Sequence, residues 1–98
     1  MKDEVIITVP SHPKYLSLVR AVTGMMGVQN KVDETVIEHM EHAVDEACSN
    51  VIKHAYGGDP NQQIGVTLRI SPEEQAPLSQ LAQPASEYWS ERQALPWS

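Results

Sequence analysis

Across residues 33–70 the hydrophobic period changes once, at the breaker run Gly57-Gly58-Asp59-Pro60, and that change dictates the fold class. Upstream, Val36, Met40, Ala43, Val44, Ala47, Val51 and Ala55 recur three and four residues apart, as the buried stripe of an amphipathic helix does. Asp33 is a good N-cap for that helix, and Glu34 is favourable in its first turn. The helix should stop near Tyr56. Downstream, Ile64, Val66, Leu68 and Ile70 alternate with Gly65, Thr67 and Arg69, which predicts a half-buried strand. A helix of this length joined by a tight break to a strand requires helices layered on a sheet.

The N-terminal part repeats the theme. Residues 4–9 (EVIITV) are β-branched and end at Pro10, so they read as a strand. Ser11 can cap a following helix, with Pro13 tolerated in its first turn. Tyr15, Leu18, Val19, Val22, Met25 and Met26 then mark a helical stripe ending around Gly24 to Gly27, the methionines reading as core filling. With 98 residues the chain makes one small domain with a modest core.

After Ile70 the composition shifts. Residues 71–98 hold four of the seven prolines and no glycine. Leu78, Leu81, Ala82, Ala85 and Trp89 fall at helical spacing, but Pro84 interrupts them. The expectation is a domain over 1–70 and a loosely ordered tail over 71–98 with one or two helical turns.

Charge and cysteine usage narrow the function. Thirteen acidic residues against seven basic ones leave a net charge of −6, which argues against a nucleic-acid binder needing a basic footprint. It suits protein partners or a nucleotide carried with a metal ion. A lone cysteine, Cys48, points to a reducing compartment, and the acidic N-terminus resembles neither a secretory signal nor a membrane span. A cytoplasmic location is the expectation.

In the stretch VDEACSNVIKHAYGG, Glu46, Asn50 and His54 recur every four residues and stack on one helix face. At about 100° per residue Asn50 and His54 fall at the edge of the stripe centred near Ala47 and Val51, and Glu46 a little further round, so the column borders a crevice. An amide oxygen there can ligate a hard cation such as Mg²⁺, a carboxylate one turn earlier can deprotonate a hydroxyl, and Lys53 with His54 could meet phosphate oxygens. Acids, amides and histidines at a helix edge are also ordinary solvated boundary residues, and spacing alone does not separate the two readings. A zinc site is a third reading. His39, His42 and Glu46 stand at i, i+3 and i+7, but the zinc-protease signature needs histidines four apart, and no third ligand is evident.

The run EACSNVIKHAY resembles the N-box of bacterial anti-sigma factors that are also serine protein kinases, within the superfamily of ATP-binding domains shared by gyrase and histidine kinases. The strand, the proline, the arginine-bearing helix with Arg20 (YLSLVRAV) and the strand after HAYGG follow in family order over residues 4–70. The resemblance implies that Asn50 ligates Mg²⁺ on ATP phosphates, that Glu46 is the general base for a substrate serine, and that Lys53 and His54 lie near the nucleotide. Arg20 matches an arginine that faces the protein partner. ATP and Mg²⁺ as cofactors, and a sigma factor and an anti-anti-sigma antagonist as partners, come with it.

The chain also departs from the pattern. The family's Asp-x-Gly-x-Gly turn, whose aspartate bonds adenine, and its glycine-rich lid are both missing, because no glycine follows Gly65. A truncation or frame change near Ile70 would produce such a break. The fold expected is an α+β two-layer sandwich, a partial version of the family domain, with an exposed sheet edge open to self-association as a homodimer. Two functions stand: an ATP-binding anti-sigma and serine-kinase regulator, or a non-catalytic interaction module.

Overall fold

In a computed structural model, residues 3–71 and 77–87 are described, and they build one α+β sandwich. Strand β1 (Asp3–Pro10) leads through a 3-10 turn (Pro13–Tyr15) into helix α1 (Leu16–Gln29). Helix α2 (Glu34–Asn50) continues into a π-helical turn (Val51–Ala55), followed by strands β2 (Gln63–Ile70) and β3 (Leu78–Pro84). The sheet is antiparallel in the order β1-β2-β3, with Asp3 opposite Ile70 and Ile70 opposite Leu78.

One face of β2 carries the core. Ile64, Val66 and Leu68 are fully buried and pack with Val19 and Met26 of α1 and Val44 and Cys48 of α2. Arg69, on the opposite face, is exposed and pairs with Glu4 of β1 at 2.7 Å. Removing this much apolar area from water is the main force that holds the layers together. Gly27 lets the helices close on each other, since a Cβ there would meet Cγ1 of Ile37 at 2.6 Å.

Asp33 caps α2 as its sequence predicts, accepting a hydrogen bond from the Thr35 amide at 2.8 Å. Three expectations change. α1 does not stop at its glycines but runs to Gln29, because neither Gly24 nor Gly27 takes a positive φ, and Gly27 serves helix packing. Ser11 is no helix cap: it is buried, its hydroxyl donates to the Asp59 carbonyl at 2.7 Å, and His12 caps the 3-10 turn instead.

The third change concerns the tail. Leu78–Pro84 is a strand that pairs with β2 along its whole length, and helix begins only after it, at residues 85–87. The amide of Ser71 donates to the Pro77 carbonyl at 2.8 Å and closes that hairpin. The open edge of β2 supplies a ladder of backbone partners, which outweighs the helical spacing of the side chains. Trp89 and Trp97 lie outside the described residues.

Candidate functional site

The buried residues of α2 are Ile37, Val44 and Cys48, and the stripe continues through Val51 and Ile52. Cys48 therefore marks its centre. Glu46 and Asn50 lie two residues either side of Cys48, about 160° away around the helix. Both are exposed, as are Lys53 and His54. The column stands on the solvent face of α2, not at the edge of the core, and neither of the clefts among the described residues is lined by it. The apolar set that marks the stripe in the sequence leaves out Cys48 and two isoleucines, and buried free cysteine behaves as a small hydrophobe.

The column stays free of internal commitments. Among the described residues no side-chain hydrogen bond or ion pair engages Glu46, Asn50, Lys53 or His54. An unbonded amide oxygen and an unbonded carboxylate one turn apart can both turn toward a ligand from solvent. Lys53 and His54 sit in the last turn, where cations are favoured by the helix dipole whether or not an anion binds.

Directly after Asn50 the helix widens. The amide of Tyr56 donates to the Val51 carbonyl five residues back at 3.2 Å, and the amide of Gly58 donates to the Ile52 carbonyl at 2.8 Å. π turns inside helices occur frequently at functional sites. Gly57 and Gly58 end the helix with φ of 57° and 85°, a backbone region that side chains with a Cβ rarely enter. No residue-type preference signals a π turn, so the sequence carries no hint of it beyond the glycine pair.

The loop that follows is tied to the sheet. Ser11 donates its amide to the Gln62 carbonyl at 2.8 Å, and its hydroxyl accepts from the Gln62 amide at 3.0 Å. The Asp59 carboxylate accepts from the Asn61 amide at 2.9 Å and from Nε2 of Gln62 at 3.1 Å, which holds its pKa below the usual carboxylate value. Tyr56 donates its hydroxyl to the Gln63 carbonyl at 2.6 Å. Beside this loop lies a cleft of about 430 Å³ lined by Tyr56, Asn61, Gln62, Gln63, Ala85 and Ser86. Its lining carries no charged side chain. Directly after β3 the chain contributes Ala85 and Ser86 to the cleft, and neither is a carboxylate.

Two other candidates resolve differently. Arg20 does not join the column: its Nη1 donates to Oδ1 of Asp45 at 2.7 Å across the two helices. Cys48 is fully buried, and desolvation, then the charge of Asp45, pushes its thiol up to about 11, so it is no nucleophile. Among the described residues no group of three His, Cys, Asp or Glu is arranged to hold a metal ion, and His39 with His42 lies exposed without a third ligand.

Among the described residues, the column on α2 offers groups that could meet the phosphate side of a Mg·nucleotide. Mg²⁺ keeps most of its waters and takes phosphate oxygens plus one or two protein oxygens, a demand Asn50 can meet alone. Among the described residues, the lining of the neutral cleft includes no carboxylate.

Comparison with known proteins agrees with this arrangement of elements. Residues 9–81 match the histidine kinase-like ATPase domain, a match that ends inside β3 and so reaches past Ile70. The chain is 33% identical over 70 residues to the serine-protein kinase RsbW of Bacillus subtilis (strain 168), covering 69% of this chain and 42% of that protein. The RsbW of Listeria innocua serovar 6a is 31% identical over 70 residues, 71% of this chain and 45% of its own. The RsbW of Bacillus velezensis is 32% identical over 70 residues, with 69% and 42% covered. The chain thus spans less than half the length of these relatives.

Proposed function

The chain belongs to the histidine kinase-like ATPase domain family, and on that premise we propose that the outer face of α2 is the phosphate side of a nucleotide site in an anti-sigma and serine-kinase type regulator. The observation that carries this reading is the unengaged oxygen of Asn50, exposed one turn after Glu46 and at the threshold of a π turn. Asn50 would hold the magnesium, and the ion when bound would offset charge on the phosphates. Glu46 accepts the proton of a serine hydroxyl, and Lys53 and His54 meet phosphate oxygens. The partners proposed are a sigma factor and an antagonist protein met through Arg20, with a homodimer and a cytoplasmic setting.

A second reading is favoured by the neutral cleft. With Ala85 and Ser86 in the cleft at the end of β3 and no glycine after Gly65, the described residues supply neither a carboxylate in the cleft lining nor a glycine-rich lid. The chain then acts as a non-catalytic interaction module. A lost directional hydrogen bond costs about 1–3 kcal/mol, and phosphates left in water make weaker contacts with every charge. Together these weaken ATP binding on the order of a hundredfold or more.

Calorimetric titration with Mg·ATP decides between them. Weak binding that disappears in Asn50→Ala supports the phosphate-side assignment. Micromolar binding that survives Asn50→Ala removes the site from this helix. Transfer of the ATP γ-phosphoryl group to a serine of an antagonist, releasing ADP and abolished by Glu46→Gln, separates the kinase from the module.

A further inference from the structure

The α1–α2 hairpin carries a second surface on its outer side. Leu18, Met25 and Val28 of α1 are 50%, 62% and 69% exposed, and Ala21 is exposed with them. Positions 18, 21, 25 and 28 fall within about 80° of one another around the helix, so they form one stripe. Scattered apolar residues on a surface need no explanation, but a continuous stripe does.

At its C-terminal end the stripe opens into a groove of about 460 Å³ between the two helices. Gly24, Val28, Val32 and Ile37 form the apolar part of the lining. The contact of Gly27 with Ile37 brings the helices together beneath it. The remaining lining residues, Glu34, Glu38 and Glu41, stand on α2 at i, i+4 and i+7, so they form a single acidic rail. No basic side chain lines the groove; Lys31 lies in the turn at its end but is not part of the lining.

We propose that this groove docks an amphipathic helix of a protein partner, its apolar face on Leu18, Met25 and Val28 and a flank of lysines or arginines along Glu34, Glu38 and Glu41. Charge selects the occupant. A second copy bound about a two-fold axis would set this acidic rail against itself, and like charges across an interface are costly. Anionic lipid and nucleic acid are repelled for the same reason. A helix with apolar anchors at i, i+3, i+4 and i+7 and a basic edge satisfies both parts of the surface. Met25 adds a side chain that adapts to different anchors. The surface is separate from the column on α2, and the proposal does not rest on the nucleotide reading.

The probe is a helical peptide of about 15 residues with leucines on one face and lysines on its flanks, long enough to hold a helix once docked. It is titrated into the isotope-labelled full chain, beside a scrambled peptide of equal composition that has no apolar face. The result expected is saturable binding with amide shifts clustered at Gly24, Val28, Val32 and Ile37. Glu38→Lys, at an exposed position, should weaken it about tenfold, and Val28→Asp should weaken it at least as much. Equal binding of the scrambled peptide, shifts centred elsewhere, or no saturation overturns the proposal. So does sedimentation that finds a dimer abolished by Val28→Asp, because the occupant is then a second copy.

Discussion

Arg20 and Asp45 are joined by a 2.7 Å ion pair that bridges α1 and α2, with side chains 40% and 37% exposed. A pair this wet contributes little, about 0–1 kcal/mol, so neither Arg20→Ala nor Asp45→Asn should move the melting temperature by more than a few degrees. Their effects on a partner should differ in sign. If Arg20 meets an antagonist protein, Arg20→Ala weakens that complex, whereas Asp45→Asn releases the guanidinium and strengthens it. Binding titrations of the two variants check this, and losses of equal size in both would show that the pair acts only to join the helices.

Two glycines of α1 should respond in opposite directions to the same substitution. At Gly27 a new Cβ would lie 2.6 Å from Cγ1 and 2.8 Å from Cδ1 of Ile37, in the packed seam between the helices. Overpacking there costs about 1–3 kcal/mol, more than the roughly 1 kcal/mol that alanine gains in helix propensity. At Gly24 the nearest atom is Oε1 of Glu41, 3.2 Å away at the end of a flexible side chain. Gly24→Ala should therefore stabilise, by up to about 1 kcal/mol, while Gly27→Ala destabilises. Urea denaturation of both variants gives the signs directly, and Gly27→Ala combined with Ile37→Ala should cost less than the sum of the two.

The same glycines explain where the sequence misleads. Glycine signals a helix end only where the backbone needs positive φ, as at Gly57 and Gly58, and not where it lets another helix approach, as at Gly27. β1, β2 and the start of α2 are legible because β-branched alternation and an aspartate cap act locally. β3 is not, since Leu78, Leu81 and Ala82 repeat at helical spacing and only the edge of β2 makes them a strand. In the site, the residue types and spacing of Glu46, Asn50 and His54 are legible, but the direction they face is not. The buried line of the helix runs through Cys48 and Ile52, which pack in the core with the strands, and through Ile37, which packs against Gly27 of α1.

Cys48 should leave a signature in alkali. Its thiol is raised from 9.0 to about 11, chiefly by burial. Below pH 9 the thiol is protonated in both folded and unfolded chains and stability is unaffected. Above pH 9 the unfolded thiol ionises while the folded one keeps its proton, so the folded state binds more protons and loses stability as pH rises. The slope is at most about 1.4 kcal/mol per pH unit until the folded thiol also titrates near pH 11. Stability measured from about pH 8 to 11 should fall more steeply in the wild type than in Cys48→Ala. Parallel curves would mean the thiol is accessible, and rapid alkylation of the native protein near pH 8 would say the same.

Among the described residues β3 carries the clearest packing conflict, and reversing it should stabilise the fold. Gln80 stands opposite Leu68, on the side of the sheet that faces the helices, and its Oε1 is buried without a partner among the described residues. Its neighbour Leu81 points the other way, opposite Thr67, and is 54% exposed. The polar side chain is thus inside and the apolar one outside, the inverse of what a half-buried strand prefers. An unsatisfied buried acceptor costs about 1–3 kcal/mol, and replacing it with an apolar group of similar volume removes that cost. Gln80→Leu should raise the urea midpoint by an amount equivalent to about 1–2 kcal/mol with an unchanged denaturant slope. Leu81→Gln, on the exposed face, should change stability by less than about 0.5 kcal/mol. A Gln80→Leu variant less stable than the wild type would mean that the amide holds β3 in register, and the strand would then owe its pairing to Gln80.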